Sequence, residues 1–289
     1  MRLRILALAI AGLVAFALAS QSQSLRHAAG VLLQLSGAPV AASAARISEH
    51  ELEEINAMPP QDQAERLLER AINHYAGAAE EIARRADGWT GRIHTSEKLE
   101  TMTNTAYFSS DLRVRAVALE IWLARDNLHK TADSVDELIR AAAAGNERRW
   151  FQLSSLGILG NRGVEPGRVF DTLMLYVRDP DGSVRAAAIN GLGLLGTENT
   201  IAPLLDVFHN DSSADLRERA ACNLADSGML SRELRREAVP ELVRFGEDPN
   251  LDASTRKWVF QALREITEQN LADDRAAWVH WYGARSSQR

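Results

Sequence analysis

An arginine recurs along this chain at a drifting interval in the thirties. Arg115, Arg149, Arg185, Arg217 and Arg256 stand 34, 36, 32 and 39 residues apart. Seven residues after each comes a large apolar residue: Trp122, Leu156, Leu192, Leu224 and Leu263. Val114, Val184 and Leu216 directly precede three of the arginines and complete an apolar seam. A unit of this length holds two short helices and cannot bury its apolar face alone, so it is stable only when stacked on copies of itself. The clearest copy is residues 179–196. There the turn Asp179-Pro180-Asp181-Gly182 feeds a stretch in which Val184, Ala188, Leu192 and Leu195 fall on one face at three- and four-residue steps. The Ala and Gly residues between them let a neighbouring helix approach closely.

These marks resemble the HEAT-repeat family, in its variant with short helices rich in small residues. Pro203 and Pro240 fall within expected first helices, where that family tolerates a kink. Asp179 and Asp211 each lie six residues before their arginines, Arg185 and Arg217. The resemblance implies that an Asp and an Arg so spaced form a ladder of hydrogen bonds between successive turns. Ser109, Ala143 and Asn250 stand at the Asp position of the other units, which makes the expected ladder incomplete. The resemblance covers residues 109–270 and implies an all-α fold, a right-handed α-α superhelix of about five helical-hairpin repeats. About function it implies little, because sites are grafted onto folds.

Before the repeats, Arg2 and Arg4 precede residues 5–18, fourteen positions without a charge, at whose end stands the small-x-small triplet Ala17-Leu18-Ala19. That order predicts an export signal over residues 1–20. The run is short for a membrane span, which needs about 20 apolar residues; cleavage is expected, with an uncleaved anchor as the alternative. Residues 21–47 are Ala-rich and read as a linker, within which 25–35 could also form an amphipathic helix. Ser48 and Glu51 make a capping box that opens a helix ended by Pro59-Pro60. Residues 48–108 lack the repeat signature and are expected to form a helical cap, with Asp87 to Gly91 as a loop. A second box, Ser134 with Glu137, is expected to start the helix leading to Gly145, and residues 160–167 to join two units. Residues 271–289 are a C-terminal aromatic cap and tail, in which Trp278 and Trp281 share a face.

The formal net charge of −6 argues against phosphate-driven nucleic-acid binding. Cys222 is the single cysteine, so no intrachain disulfide forms even after export; it reads as a small packing residue or as a thiolate beside Arg219. The seven histidines never stand at i, i+3 or i, i+4, and no local metal pair exists. Gly191 and Gly193 lie in an expected helix, not in a phosphate loop. No cofactor is expected. Candidate function therefore falls on the solenoid's concave face. Stepping one, five and nine residues past the arginines gives, among others, Glu120, Trp150, Ser154, Ile158, Asn190, Leu194, Glu218, Asp226, Lys257, Gln261 and Glu265. An apolar middle bounded by charges has the anatomy of a protein-binding groove, although Trp150 and Ile158 could equally pack between helices. The expectation is an exported, periplasmic or extracellular scaffold for a protein or peptide, with a possible membrane tether through residues 1–20. The alternative is an enzyme, for example a HEAT-like lyase, whose site is assembled across repeats.

Overall fold

The computed structural model describes residues 45–145 and 147–286; residues 1–20 and most of 21–47 lie outside them. The described chain is all-helical apart from an isolated bridge between Arg46 and Ala76, and it has the architecture of a helical-repeat solenoid. Three helices lead: α1 (Glu49–Ala57), α2 (Pro60–Ile72) and α3 (Ala78–Trp89). Hairpins follow, each of two antiparallel helices packed on one another: α4 (Glu97–Tyr107) with α5 (Leu112–Arg125), and α6 (Ala132–Ala143) with α7 (Arg149–Asn161). Next come α8 (Pro166–Met174) with α9 (Gly182–Leu195), and α10 (Ile201–Asn210) with α11 (Ala214–Cys222). A short α12 (Arg232–Glu237) precedes the hairpin of α13 (Val239–Glu247) and α14 (Ala253–Thr267), and α15 (Arg275–Ser286) ends the described chain.

Local chemistry sets the helix starts. Asp111, Asp181 and Asp252 cap α5, α9 and α14 by accepting N–H bonds from Arg113, Ser183 and Ser254 at 2.9, 2.8 and 3.0 Å. Each repeat arginine then sits at the fourth helical position. Helix α7 is the exception: it begins a turn late, with Arg149 as its first residue. The buried face nonetheless keeps the 36-residue step, since Leu153, Leu156 and Leu159 match Ile189, Leu192 and Leu195, all fully buried. Small residues make that match possible. A Cβ on Gly157 would stand 2.3 Å from the Gly191 carbonyl oxygen, so the α7 and α9 backbones are in direct contact.

Several local expectations need correction. Ser48 does accept from the Glu51 N–H at 3.1 Å, but the Glu51 carboxylate turns away to Arg66 and Arg70 at 3.2 and 2.7 Å. Asp87, Gly88 and Trp89 are the last turn of α3, not a loop. Helix α6 is capped by Thr131, three residues ahead of Ser134. Pro203 and Pro240 lie in the first turns of α10 and α13, where a missing N–H costs nothing, so neither is a mid-helix kink. The first hairpin also recruits α4, which lies within residues 48–108.

Two buried clusters result. One joins the leading helices to α4 and α5; the other runs from α5 to Trp278, which is 1% exposed and packs at 5.7 Å against Trp281. Helix α5 contributes to both, with Val117 and Ile121 to the first and Leu119 and Leu123 to the second. After α11 the chain loosens into a π-helical turn, Asn223–Ser227, pressed against Gly193, whose carbonyl accepts the Met229 N–H at 2.8 Å. Two guanidiniums converge on the carbonyls freed there. Arg115, 2% exposed, donates to the Asp226 and Gly228 oxygens at 2.5 and 2.7 Å and to Ser109 O at 2.6 Å. Arg235 donates to Ala225 O at 2.6 Å and Leu230 O at 2.9 Å. Burial pushes both guanidiniums below their ordinary pKa, while the Asp226 carboxylate pulls the other way. Arg115 thus ties the first hairpin to a turn 113 residues further on.

Candidate binding groove

A groove of about 360 Å³ opens between α4, α5, α7 and α9. Helix α4 contributes Glu100, Asn104 and Tyr107; α5 contributes Trp122 and Leu123, followed by Asp126 and Leu128. Helix α7 supplies Trp150, Phe151, Ser154, Ser155 and Ile158, and α9 supplies Asn190 and Leu194. Arg125, at the end of α5, also lines the groove and forms a two-pronged pair with Asp126, both contacts at 3.0 Å.

Of the residues expected on the binding face, the structure brings Trp150, Ser154, Ile158, Asn190 and Leu194 together here. Trp150 is 63% exposed and meets Phe151 edge-on at 6.1 Å, whereas Ile158 and Leu194 are almost wholly buried. Asn190 accepts from Arg219 at 3.2 Å, which links the groove to α11. The others lie elsewhere. Glu120 is a correction: far from facing solvent it is 4% exposed, held by Lys130 at 2.9 Å and Arg162 at 3.4 Å. A carboxylate in that position is stable because two cations replace the water it loses. Glu218 and Lys257 are exposed, and Gln261 donates to Glu265 at 2.9 Å. Asp226 lies in the π-helical turn, with Arg115 and Arg235 at 3.9 and 3.8 Å. Glu218, Asp226 and Glu265 all bear on Cys222. Burial first, and then these carboxylates, push its thiol up to about 12, so the thiolate that nucleophilic chemistry needs is disfavoured.

The inter-unit ladder pairs two of the repeat arginines, Arg185 and Arg217, with the following unit. Arg185 holds the Asp211 carboxylate with Nε and Nη2, at 2.9 and 3.2 Å, and also donates to the carbonyl of Asp179 at 2.9 Å. Arg217 donates to Asp211 O at 2.7 Å and reaches forward to Asp252 at 2.9 Å and to the Thr255 hydroxyl at 2.8 Å. The next carboxylate is therefore Asp252, not position 250.

Sequence stepping missed Glu100, Asn104 and Tyr107 because α4 falls outside the arginine-anchored stretch. It also placed Trp122 in the core seam, where the structure has it half-buried, tilted against Tyr107 at 4.8 Å and lining the groove. The signal was present: Trp122 is the one aromatic in a column of leucines. Burial pushes the Tyr107 phenol above its usual range.

Residues 137–225, from α6 through the π-helical turn, match the family model for HEAT repeats. Such repeats suggest a protein-interaction scaffold. A solved engineered protein is similar over 71% of this chain and 97% of its own, at 13% identity and a TM-score of 0.34. No curated protein matches the sequence. Among the described residues no group of three His, Cys, Asp or Glu side chains is placed to hold a metal ion, and no helix is long and apolar enough to cross a membrane.

Proposed function

We propose that the protein is an exported, non-catalytic scaffold that binds a protein or peptide segment in this groove, on the concave side of its solenoid. One observation carries the reading: Trp150 stands 63% exposed beside a cavity of about 360 Å³. A tryptophan held in water forgoes the burial that a core position would give it, and exposed indoles flanked by polar groups are typical of interface anchors. The polar groups are there in Ser154, Asn104 and Asn190. The Cys222 thiol, pushed up to about 12, supports a non-catalytic role. Residues 1–20 supply the reason for placing the scaffold beyond a membrane.

Trp150→Ala should lower affinity for a partner recovered from the cell envelope by about tenfold or more, as hot-spot truncations do, while leaving the melting temperature within a degree or two. Equal recovery by wild type and variant would refute the groove. Export is read separately: N-terminal sequencing of the mature protein should begin at or near Ser20 or Gln21. Intact Met1 in a soluble cytosolic fraction would overturn it, and intact Met1 in membranes would indicate the anchor.

A further inference from the structure

The buried framework divides beside the groove. Helices α1 to α5 share one apolar cluster, and the other runs from α5 to α15. Across that seam α5 meets α7 at few points, whereas α7 and α9 lie backbone to backbone. The groove occupies the gap, with α4 and α5 on one side and α7 and α9 on the other. A seam with so little packing is where two bodies can move against one another. Helix α5 lies along it like a lever. At its C-terminal end, Lys130 of the following loop and Arg162 after α7 grip Glu120 at 2.9 and 3.4 Å. Asn127 in the same loop has a left-handed φ of 57°. The buried leucines that α5 lends to the second cluster, Leu119 and Leu123, lie in this half. Arg115 holds the other end, ten residues or about 15 Å from Arg125.

We propose that the first hairpin is a hinged jaw: α4 and α5 swing with the leading helices away from α7 and α9, pivoting at residues 126–131, and Arg115 is the clasp that holds the groove shut. The clasp can release without leaving bare polar groups behind. Arg115 reaches across only to the carbonyls of Asp226 and Gly228, while the Asp226 carboxylate stands off at 3.9 Å. Its Nε–H is buried with no acceptor among the described residues. A guanidinium so incompletely partnered recovers hydrogen bonds when it returns to water. The turn keeps its own partners, because Arg235 donates to the same two oxygens at 3.0 and 3.3 Å. That turn is π-helical, a rare winding that occurs mostly at functional sites. Opening bares the faces of α7 and α9 that line the groove. The motion goes beyond the binding reading and does not depend on it.

Nitroxide distances on the full chain test this, in a Cys222→Ala background so that only introduced thiols carry a label. Thr105→Cys in α4 with Asp171→Cys in α8 places two exposed labels on opposite sides of the seam. Asp171→Cys with Asp215→Cys in α11 places two exposed labels within one body. In the chain that keeps Arg115 the first pair should give one dominant distance. Arg115→Ala should add a longer population, displaced by about 5 Å or more, roughly one helical turn, and leave the second pair unmoved. Arg115→Lys, whose single ammonium cannot span both carbonyls and Ser109, should give a smaller longer population, and is read alone if the alanine variant does not fold. A Thr105–Asp171 distribution unchanged by either substitution overturns the jaw and leaves the peptide groove standing. A shift of equal size in the Asp171–Asp215 pair also overturns it, since the change would then be a general loosening. A failure of Trp150→Ala to weaken partner recovery would fell the groove reading without touching the jaw.

Discussion

Asp252 shows how much one carboxylate can do at a helix start. It accepts N–H bonds from Ser254 and Thr255, both at 3.0 Å, takes the Thr255 hydroxyl at 2.6 Å and receives Arg217 at 2.9 Å. The Thr255 hydroxyl first, then the backbone N–H groups and Arg217, hold its pKa near 2, below the usual 3.8. A carboxylate lowered in the folded state stabilises fully above its unfolded pKa and loses that contribution as pH falls through the folded value. Wild type should therefore lose stability between pH 4 and pH 2 more steeply than Asp252→Asn, as followed by denaturant midpoints at each pH. A parallel pair of curves would show that Asp252 adds nothing beyond a neutral cap. The salt dependence should be modest, because the Asp252 side chain is half exposed.

At the scale of elements, the α7–α9 contact is set by glycine. A Cβ on Gly157 would collide with the Gly191 carbonyl at 2.3 Å, and one on Gly191 with the Leu153 carbonyl at 2.7 Å. Backbone cannot step aside as a flexible side chain can, so Gly157→Ala should destabilise by about 2 kcal/mol despite alanine's better helix propensity. Gly88→Ala in α3, where a Cβ meets nothing within 4 Å, should instead stabilise by about 0.5–1 kcal/mol. Urea midpoints of the two variants should move in opposite directions. The close approach of such helices was legible in advance, because small residues between apolar ones leave room for little else. The five-hairpin rhythm was legible too, since Leu156, Leu192, Leu224 and Leu263 are buried as their spacing requires. Helix α4 was not, as it carries no repeat arginine and its apolar spacing is weak. Its groove residues Glu100, Asn104 and Tyr107 followed it out of view. Glu120 was misread for a different reason: its step along the helix is a solvent-facing one, but Lys130 and Arg162 arrive from separate loops. Only three-dimensional neighbours make a buried carboxylate tolerable, and no local pattern records them.

For the whole molecule, stability should divide into terms between neighbouring units, with the arginine ladder among them. The Arg185–Asp211 rung is well shielded, its side chains 14% and 7% exposed; a charge-assisted bond of this kind contributes about 1.5–3 kcal/mol. Arg185→Ala should accordingly lower amide hydrogen-exchange protection around Leu175, Leu192 and Leu204, while Lys257→Ala on an exposed face should leave it unchanged. Unchanged protection in the arginine variant would make the rung dispensable. Arg115 answers to a different logic. An open solenoid stretches like a spring, each coil yielding to its neighbour. A side chain that fastens the first hairpin to a turn 113 residues away is a chord across that arc. The α7 and α9 walls of the groove lie along the chain between the two points that Arg115 joins, so Arg115→Ala should raise amide exchange in both helices together.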